Sequence, residues 1–181
     1  EFFVTVHADG LVPDLPVVRI PDASLYLRAE TNALLCGGWE PEGLSTDPRG
    51  FALTTEPPAI EPDYEVLGWF AEQLAPHLPK VNDLGLRSVF RGWPTFTPDG
   101  RFIIGPSARV PGFVMAGGCN AHGVSGSAGI GRHVVESMFD DAPSEYVRSL
   151  SPDRFSENGW DWPTARRDAQ HYYETYYCLG H

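Results

Sequence analysis

The pattern of apolar and polar positions divides the chain into a strand-rich start, a loop-and-helix middle and a glycine-rich second half. Short β-branched and aromatic runs recur first: Phe2 to Val6, Val17-Val18-Arg19-Ile20, Leu25-Tyr26-Leu27-Arg28 and Leu34-Leu35-Cys36. The last two flank the polar Ala29-Glu30-Thr31-Asn32 and predict a hairpin, which Gly37-Gly38 ends just before Trp39. Residues 41–62 are rich in Pro, Gly, Thr and Glu and predict a long surface excursion. Helical spacing begins at Asp63, a candidate N-cap. Val66, Leu67, Phe70 and Leu74 form its stripe, and Pro76 and Pro79 close it.

Leu84 to Trp93 again reads as extended. Pro98-Asp99-Gly100 predicts a turn, with Phe102-Ile103-Ile104 as the return strand. After Pro111-Gly112 comes Phe113-Val114-Met115-Ala116, a wholly apolar strand of the kind buried on both faces. A loop from Gly117 to Gly123 leads into a helix predicted over 124–138. Ser151 to Phe155 reads as a turn, Trp160-Asp161-Trp162-Pro163 as an aromatic knot and Thr164 to Tyr177 as a helix crowded with tyrosine. Strands first and a late strand–helix unit make the expected class α+β: a mainly antiparallel sheet with flanking helices, plus that terminal unit.

Composition narrows the function. Glycine (19) and proline (17) make about a fifth of the 181 residues, against roughly 12% in average usage, so the fold is turn-rich. A net charge of −11 and a single lysine, Lys80, argue against nucleic-acid and anionic-membrane partners. No apolar stretch reaches the ~18 residues of a membrane-spanning helix. Cys36, Cys119 and Cys178 lie far apart and form no CxxC pair, which favours a reducing compartment. His7, His77, His133, His171 and His181 have no partner at ligand spacing, so no metal site is expected.

The densest chemistry lies between Phe113 and Gly131, where a strand runs into a loop without large side chains and then into a helix of small residues. Free N–H groups and the dipole at such a helix start favour an anionic or electron-rich group. Gly123, Gly126 and Gly129 would let a flat ring or another backbone approach. A glycine-rich junction also serves simply to pack a helix on a sheet, and spacing alone leaves both readings open. Val124 stands where a Walker loop needs lysine, and no GxGxxG is present.

With the preceding Arg91-Gly92-Trp93-Pro94-Thr95-Phe96-Thr97-Pro98-Asp99-Gly100-Arg101-Phe102-Ile103-Ile104-Gly105-Pro106, this stretch resembles the carboxy-terminal signature of the flavin-dependent amine oxidoreductases. These form the D-amino-acid-oxidase-like superfamily, and the likeness is to its dimethylglycine and sarcosine dehydrogenase branch. The resemblance implies FAD as cofactor. It implies oxidation of a secondary or tertiary N-methyl amine by hydride transfer to the flavin, with oxygen or an electron-transfer protein as second acceptor. It carries flavin contact onto Gly118, Cys119, Asn120, Ala121, His122, Gly123, Val124 and Ser125. It places Trp39, Arg91 and Trp93 on the substrate side. Trp39 stands where relatives carry a tyrosine, so it offers an indole for cation–π packing in place of a titratable hydroxyl. No catalytic base is assigned.

The resemblance also implies an organisation: residues 1–111 as substrate-binding part, 112–142 as the final strand and helix of the FAD-binding part, and 143–181 as linker and start of a following domain. On this reading the chain is a fragment that lacks the N-terminal FAD-binding segment and the C-terminal domain, both expected partners, and does not hold FAD tightly alone. The expected setting is cytoplasmic, or the mitochondrial matrix in a eukaryote. Two rivals stand beside it: a non-catalytic, aromatic-rich module binding a ligand or partner through Trp160 and Trp162, and a flavin-free regulatory relative.

Overall fold

The computed structural model describes residues 1–12, 14–52, 56, 58–156 and 159–177. Cys178 and His181, and residues 53–55 and 57 of the excursion, lie outside the described residues. The chain forms two compact units, residues 1–93 with 174–181, and residues 94–173. Both strands and helices are present and the sheets are antiparallel, so the class is α+β, as the sequence predicts. No helix among the described residues is long and apolar enough to cross a membrane.

The first unit is built on a five-stranded antiparallel sheet. Its strands are β1 (Phe2–Thr5), β2 (Val18–Ile20), β3 (Leu25–Glu30), β4 (Ala33–Gly38) and β5 (Leu86–Phe90), in the order β2-β3-β4-β1-β5. The predicted hairpin is β3–β4, closed by Thr31-Asn32, with Glu30 opposite Ala33. Side chains alternate across the sheet. Phe3, Leu25, Leu34 and Cys36 face Leu67, Phe70 and Leu74 of the helix α1 (Tyr64–Leu74) and form the main core. The opposite face carries Val4, Ala33 and Leu35, with Phe2 and Tyr26 packed on them. There Tyr26 lies directly over its cross-strand partner Gly37, and any side chain at 37 would collide with it.

Asp63 caps α1 as the spacing predicts: its carboxylate accepts from the N–H of Glu65 (3.0 Å) and Val66 (3.1 Å). Asp63→Ala is expected to cost about 1 kcal/mol, the usual value of such a cap. Thermal unfolding of the chain, with amide exchange over 64–74, measures it. An unchanged exchange rate in the first turn would count against the cap.

The second unit holds the two-stranded sheet of β6 (Ile103–Pro106) and β7 (Val114–Gly117), followed by α2 (Ser127–Phe139), α3 (Glu145–Arg148) and α4 (Trp162–Glu174). Several expectations need correction here. Phe102–Ile104 does not return onto the 84–93 strand. β5 pairs with β1, where Phe2 and Phe90 stack at 4.9 Å, and β6 pairs with β7. The Thr97 N–H bonds to Asn120 and the Asp99 carboxylate to Arg154, and the strands before and after the Thr97–Gly100 turn belong to different sheets, so the turn does not close a hairpin. β7 is not buried on both faces: Val114 and Met115 are half-buried and Ala116 is exposed. It has one paired neighbour among the described residues. The helix predicted from 124 starts at Ser127, because residues 123–126 run as turns before it. The last helix spans Trp162–Glu174, within a few residues of its predicted bounds. The four-residue α3 was not predicted, being too short to show a period.

Candidate functional site

β7 delivers the chain into the loop from Gly117 to Gly126. Three residues of this loop have left-handed backbone: Gly118 (φ 59°), Asn120 (φ 44°) and Ala121 (φ 59°). Asparagine tolerates that region better than most residues, whereas alanine there is strained. The loop is held by backbone bonds from His122 N–H to the Cys119 carbonyl (2.7 Å) and from Asn120 N–H to the Thr95 carbonyl (3.0 Å). Asn120 is buried and turns its amide inward. Its Oδ1 accepts from the Thr97 N–H (2.9 Å), and its Nδ2 donates to the Gly118 carbonyl (2.6 Å). Nδ1 of His122 stands 2.9 Å from the Asn120 carbonyl, which can only accept, so this nitrogen is the donor.

The hydrogen-bond ladder of the coming helix starts with Gly126 N–H to the His122 carbonyl (2.8 Å) and continues with Ser127 and Ile130. The N–H groups of Gly123, Val124 and Ser125 lie ahead of it and take no carbonyl partner among the described residues. Orphan donors at a helix start are an electropositive edge. Gly126 is required by packing, since a Cβ there would meet the His122 carbonyl at 2.9 Å and Phe102 at 3.3 Å. Gly123 would make only ordinary contact, and Gly129 faces open space. The three glycines that the sequence groups together therefore have different surroundings.

A cavity of about 380 Å³ opens beside this loop, lined by Arg101, Phe102, Cys119, His122, Ser125 and Tyr146 among others. The volume lies within the range of small-molecule sites. Four residues of the predicted cofactor set, Cys119, Asn120, His122 and Ser125, line it. The Arg101 guanidinium is fixed by Ser149 Oγ (2.6 Å) and lies 5.9 Å from the Tyr146 ring centre. A larger cavity of about 660 Å³ between Arg132, His133 and Asp140 contains none of the predicted residues.

The residues expected on the substrate side belong to the first unit. Trp39 follows β4 and stacks against Tyr176 at 4.2 Å and edge-on against Tyr177 at 6.1 Å. Trp93 donates its indole N–H to the Pro58 carbonyl (2.9 Å) and packs near Phe51. Arg91 is exposed just beyond β5. Burial pushes the neighbouring Tyr26 phenol up to about 12, aided by the charges of Tyr177, Cys36 and Tyr176. Burial alone pushes the Cys36 thiol up to about 12, so both stay protonated at neutral pH.

Sequence reasoning missed the scaffold behind the loop. In the sequence Thr97-Pro98-Asp99-Gly100 shows only a turn within the signature, yet Thr97 is 3% exposed and bonded to Asn120. A polar residue so deeply buried is a structural anchor, but burial has no signature in a turn motif. Arg154 makes a two-pronged ion pair with Asp99 (2.8 and 3.1 Å) that no local pattern announces. Tyr172 lies over Gly100, and Tyr173 meets Phe96 edge-on at 5.4 Å.

A protein-family model described as FAD dependent oxidoreductase matches residues 3–137. The chain is 29% identical over 157 residues to the 4-methylaminobutanoate oxidase (formaldehyde-forming) of Paenarthrobacter nicotinovorans, covering 84% of this chain and 18% of that protein. It is 27% identical over 174 residues to human mitochondrial sarcosine dehydrogenase, covering 94% of this chain and 18% of that protein. It is also 28% identical over 147 residues to the mouse mitochondrial pyruvate dehydrogenase phosphatase regulatory subunit, covering 80% of this chain and 16% of that protein. The chain thus spans under a fifth of the length of these relatives.

Proposed function

The chain belongs to the FAD-dependent oxidoreductase family, and we propose that it supplies the substrate-side sheet and the cofactor loop of an enzyme oxidising a secondary or tertiary N-methyl amine. The observation that carries this reading is the loop before α2. Three N–H donors stand there without carbonyl partners, ahead of a helix dipole and beside a cavity of ligand size. That donor set suits the electron-rich edge of a flavin, which gains negative charge on reduction. FAD, when bound, supplies the two-electron acceptor for the amine's hydride. The residues of this chain bind and orient.

On this reading the loop Gly118 to Ser125 holds the cofactor through its backbone. His122 keeps its Nδ1 proton on the Asn120 carbonyl, so its ring is oriented within the loop. Trp39 offers an indole face for a methylated ammonium, and Arg91 an exposed guanidinium for a carboxylate. Trp93 contributes an apolar wall. The segments 1–111, 112–142 and 143–181 fall on this reading to the substrate part, the end of the FAD-binding part and the start of a further domain. The identity to 4-methylaminobutanoate oxidase and sarcosine dehydrogenase supports an N-methyl amino acid as substrate.

The test is anaerobic. The intact protein, titrated with FAD, is mixed with sarcosine, dimethylglycine or 4-methylaminobutanoate. Bleaching of the flavin band by at least one of them is expected. A flavin band that none of the three bleaches would overturn the catalytic reading. The similarity to a phosphatase regulatory subunit supports a second reading, the same fold without amine oxidation, and that outcome would favour it.

A further inference from the structure

The loop does not hold its shape by itself. Asn120 is 5% exposed, and its polar groups are all matched. Its N–H reaches the Thr95 carbonyl, its Oδ1 takes the Thr97 N–H at 2.9 Å, and its Nδ2 meets the Gly118 carbonyl at 2.6 Å. Chemistry fixes the amide's orientation: a backbone N–H demands the oxygen and a carbonyl demands the nitrogen. These bonds tie both sides of the left-handed stretch at Gly118 and Asn120 to the Thr95–Thr97 segment. The side chain faces away from solvent and is already engaged within the protein.

The network continues away from the loop. The Thr97 hydroxyl donates to the Arg101 carbonyl (2.9 Å), and Asp99 accepts from the Arg101 N–H (3.2 Å). Arg154 then grips both oxygens of Asp99 and also reaches the Arg101 carbonyl (3.2 Å). Arg154 sits in the short 3-10 turn Pro152–Phe155, beyond the residues that the family model matches. A hydrogen-bonded chain therefore runs from a segment outside the family match to the backbone of the cofactor loop.

We infer that Asn120 is a positioning residue that presents the loop's N–H groups to the flavin, and that Arg154 steadies it through Asp99 and Thr97. The inference rests on the flavin reading above and refines it: Asn120 acts through its neighbours and not by a side-chain contact with the cofactor. Fully satisfied polar networks fix one geometry, and partly satisfied ones lose it.

The test uses the intact protein, with FAD affinity, the visible flavin spectrum and thermal unfolding as readouts. Asn120→Asp keeps the shape but sets an oxygen against the Gly118 carbonyl. The FAD dissociation constant is expected to rise about tenfold or more, the scale of a lost buried hydrogen bond, and the flavin band to shift. Leu67→Ala, in the core of the other unit, is the control for lowered stability alone and is expected to leave band and affinity unchanged. Arg154→Lys keeps the charge and loses the fork. It is expected to weaken FAD in the same direction, and the double variant to fall short of the summed effects. An Asn120→Asp protein with the band and affinity of the Leu67→Ala control would overturn the role of Asn120. Strict additivity with Arg154→Lys would overturn the link to Arg154. An unsubstituted protein that takes up no FAD would overturn the functional reading itself, and this inference with it.

Discussion

Gly118→Ala is expected to destabilise the second unit by about 3 kcal/mol, combining a left-handed backbone penalty with overpacking. The backbone there has φ 59°, which an L side chain rarely adopts. The added Cβ would lie 2.5 Å from Thr97 Cγ2 and 3.1 Å from Ile103 Cγ1. Neither neighbour yields easily. Thr97 is bonded to Asn120 and the Arg101 carbonyl, and Ile103 is paired with Gly117 in the β6–β7 ladder. Gly129→Ala is the matched comparison. Position 129 lies within α2, and a Cβ there meets nothing within 4 Å. Alanine is the better helix former, so a gain of up to about 1 kcal/mol is expected. Thermal unfolding of both variants, with amide exchange at Ile104 as a reporter of β6, separates them. A Gly118→Ala protein as stable as Gly129→Ala would mean that the loop is not packed on Thr97 as described.

The contrast between these glycines shows what sequence conveys and what it does not. The β3–β4 hairpin and α1 were legible because their causes are local: alternation around a two-residue turn, a heptad-like stripe, and an aspartate at the right place before it. The glycine-rich junction was legible as a strand, loop and helix for the same reason. Which glycine is pressed and which is open depends on Thr97, Phe102 and the His122 carbonyl, partners set by tertiary packing. Asn120 was readable as a loop residue, but only its burial separates an inward-facing anchor from a ligand contact. The pairing of β6 with β7 in place of β5 is likewise non-local. Asp99 marks a turn in any sequence, and nothing in Pro-Asp-Gly points to an arginine 55 positions away.

That arginine carries the second large effect. Arg154→Ala is expected to cost about 2–4 kcal/mol at neutral pH, in the range for removing one partner of a largely buried, multiply bonded charge. All five guanidinium N–H donors are used: two bonds go to Asp99, and the others to the carbonyls of Leu150 (2.8 Å), Ser151 (3.0 Å) and Arg101 (3.2 Å). The guanidinium also lies 4.1 Å from the centre of the Phe155 ring, so packing is lost along with charge. Burial by itself would raise the Asp99 carboxyl. The hydrogen bonds and charge of Arg154, with help from the Arg101 N–H, outweigh it and hold the group below its ordinary value. A carboxyl lowered in the folded state stabilises the fold above its unfolded pKa, about 3.9. That contribution disappears as pH falls through the lower, folded value. In Arg154→Ala the ion pair that opposes burial is gone and the Arg101 N–H remains as a weaker support, so most of the Asp99 contribution is lost at neutral pH. The gap in melting temperature between the two proteins should therefore be widest at pH 6–8 and narrow below about pH 4 as Asp99 protonates. Arg154→Lys should fall between them, since a single ammonium matches the charge but not the two-pronged fit. A gap that stays constant from pH 7 to pH 3 would assign the loss to packing on Phe155 and the three carbonyls, and would remove the Asp99 pair as its source.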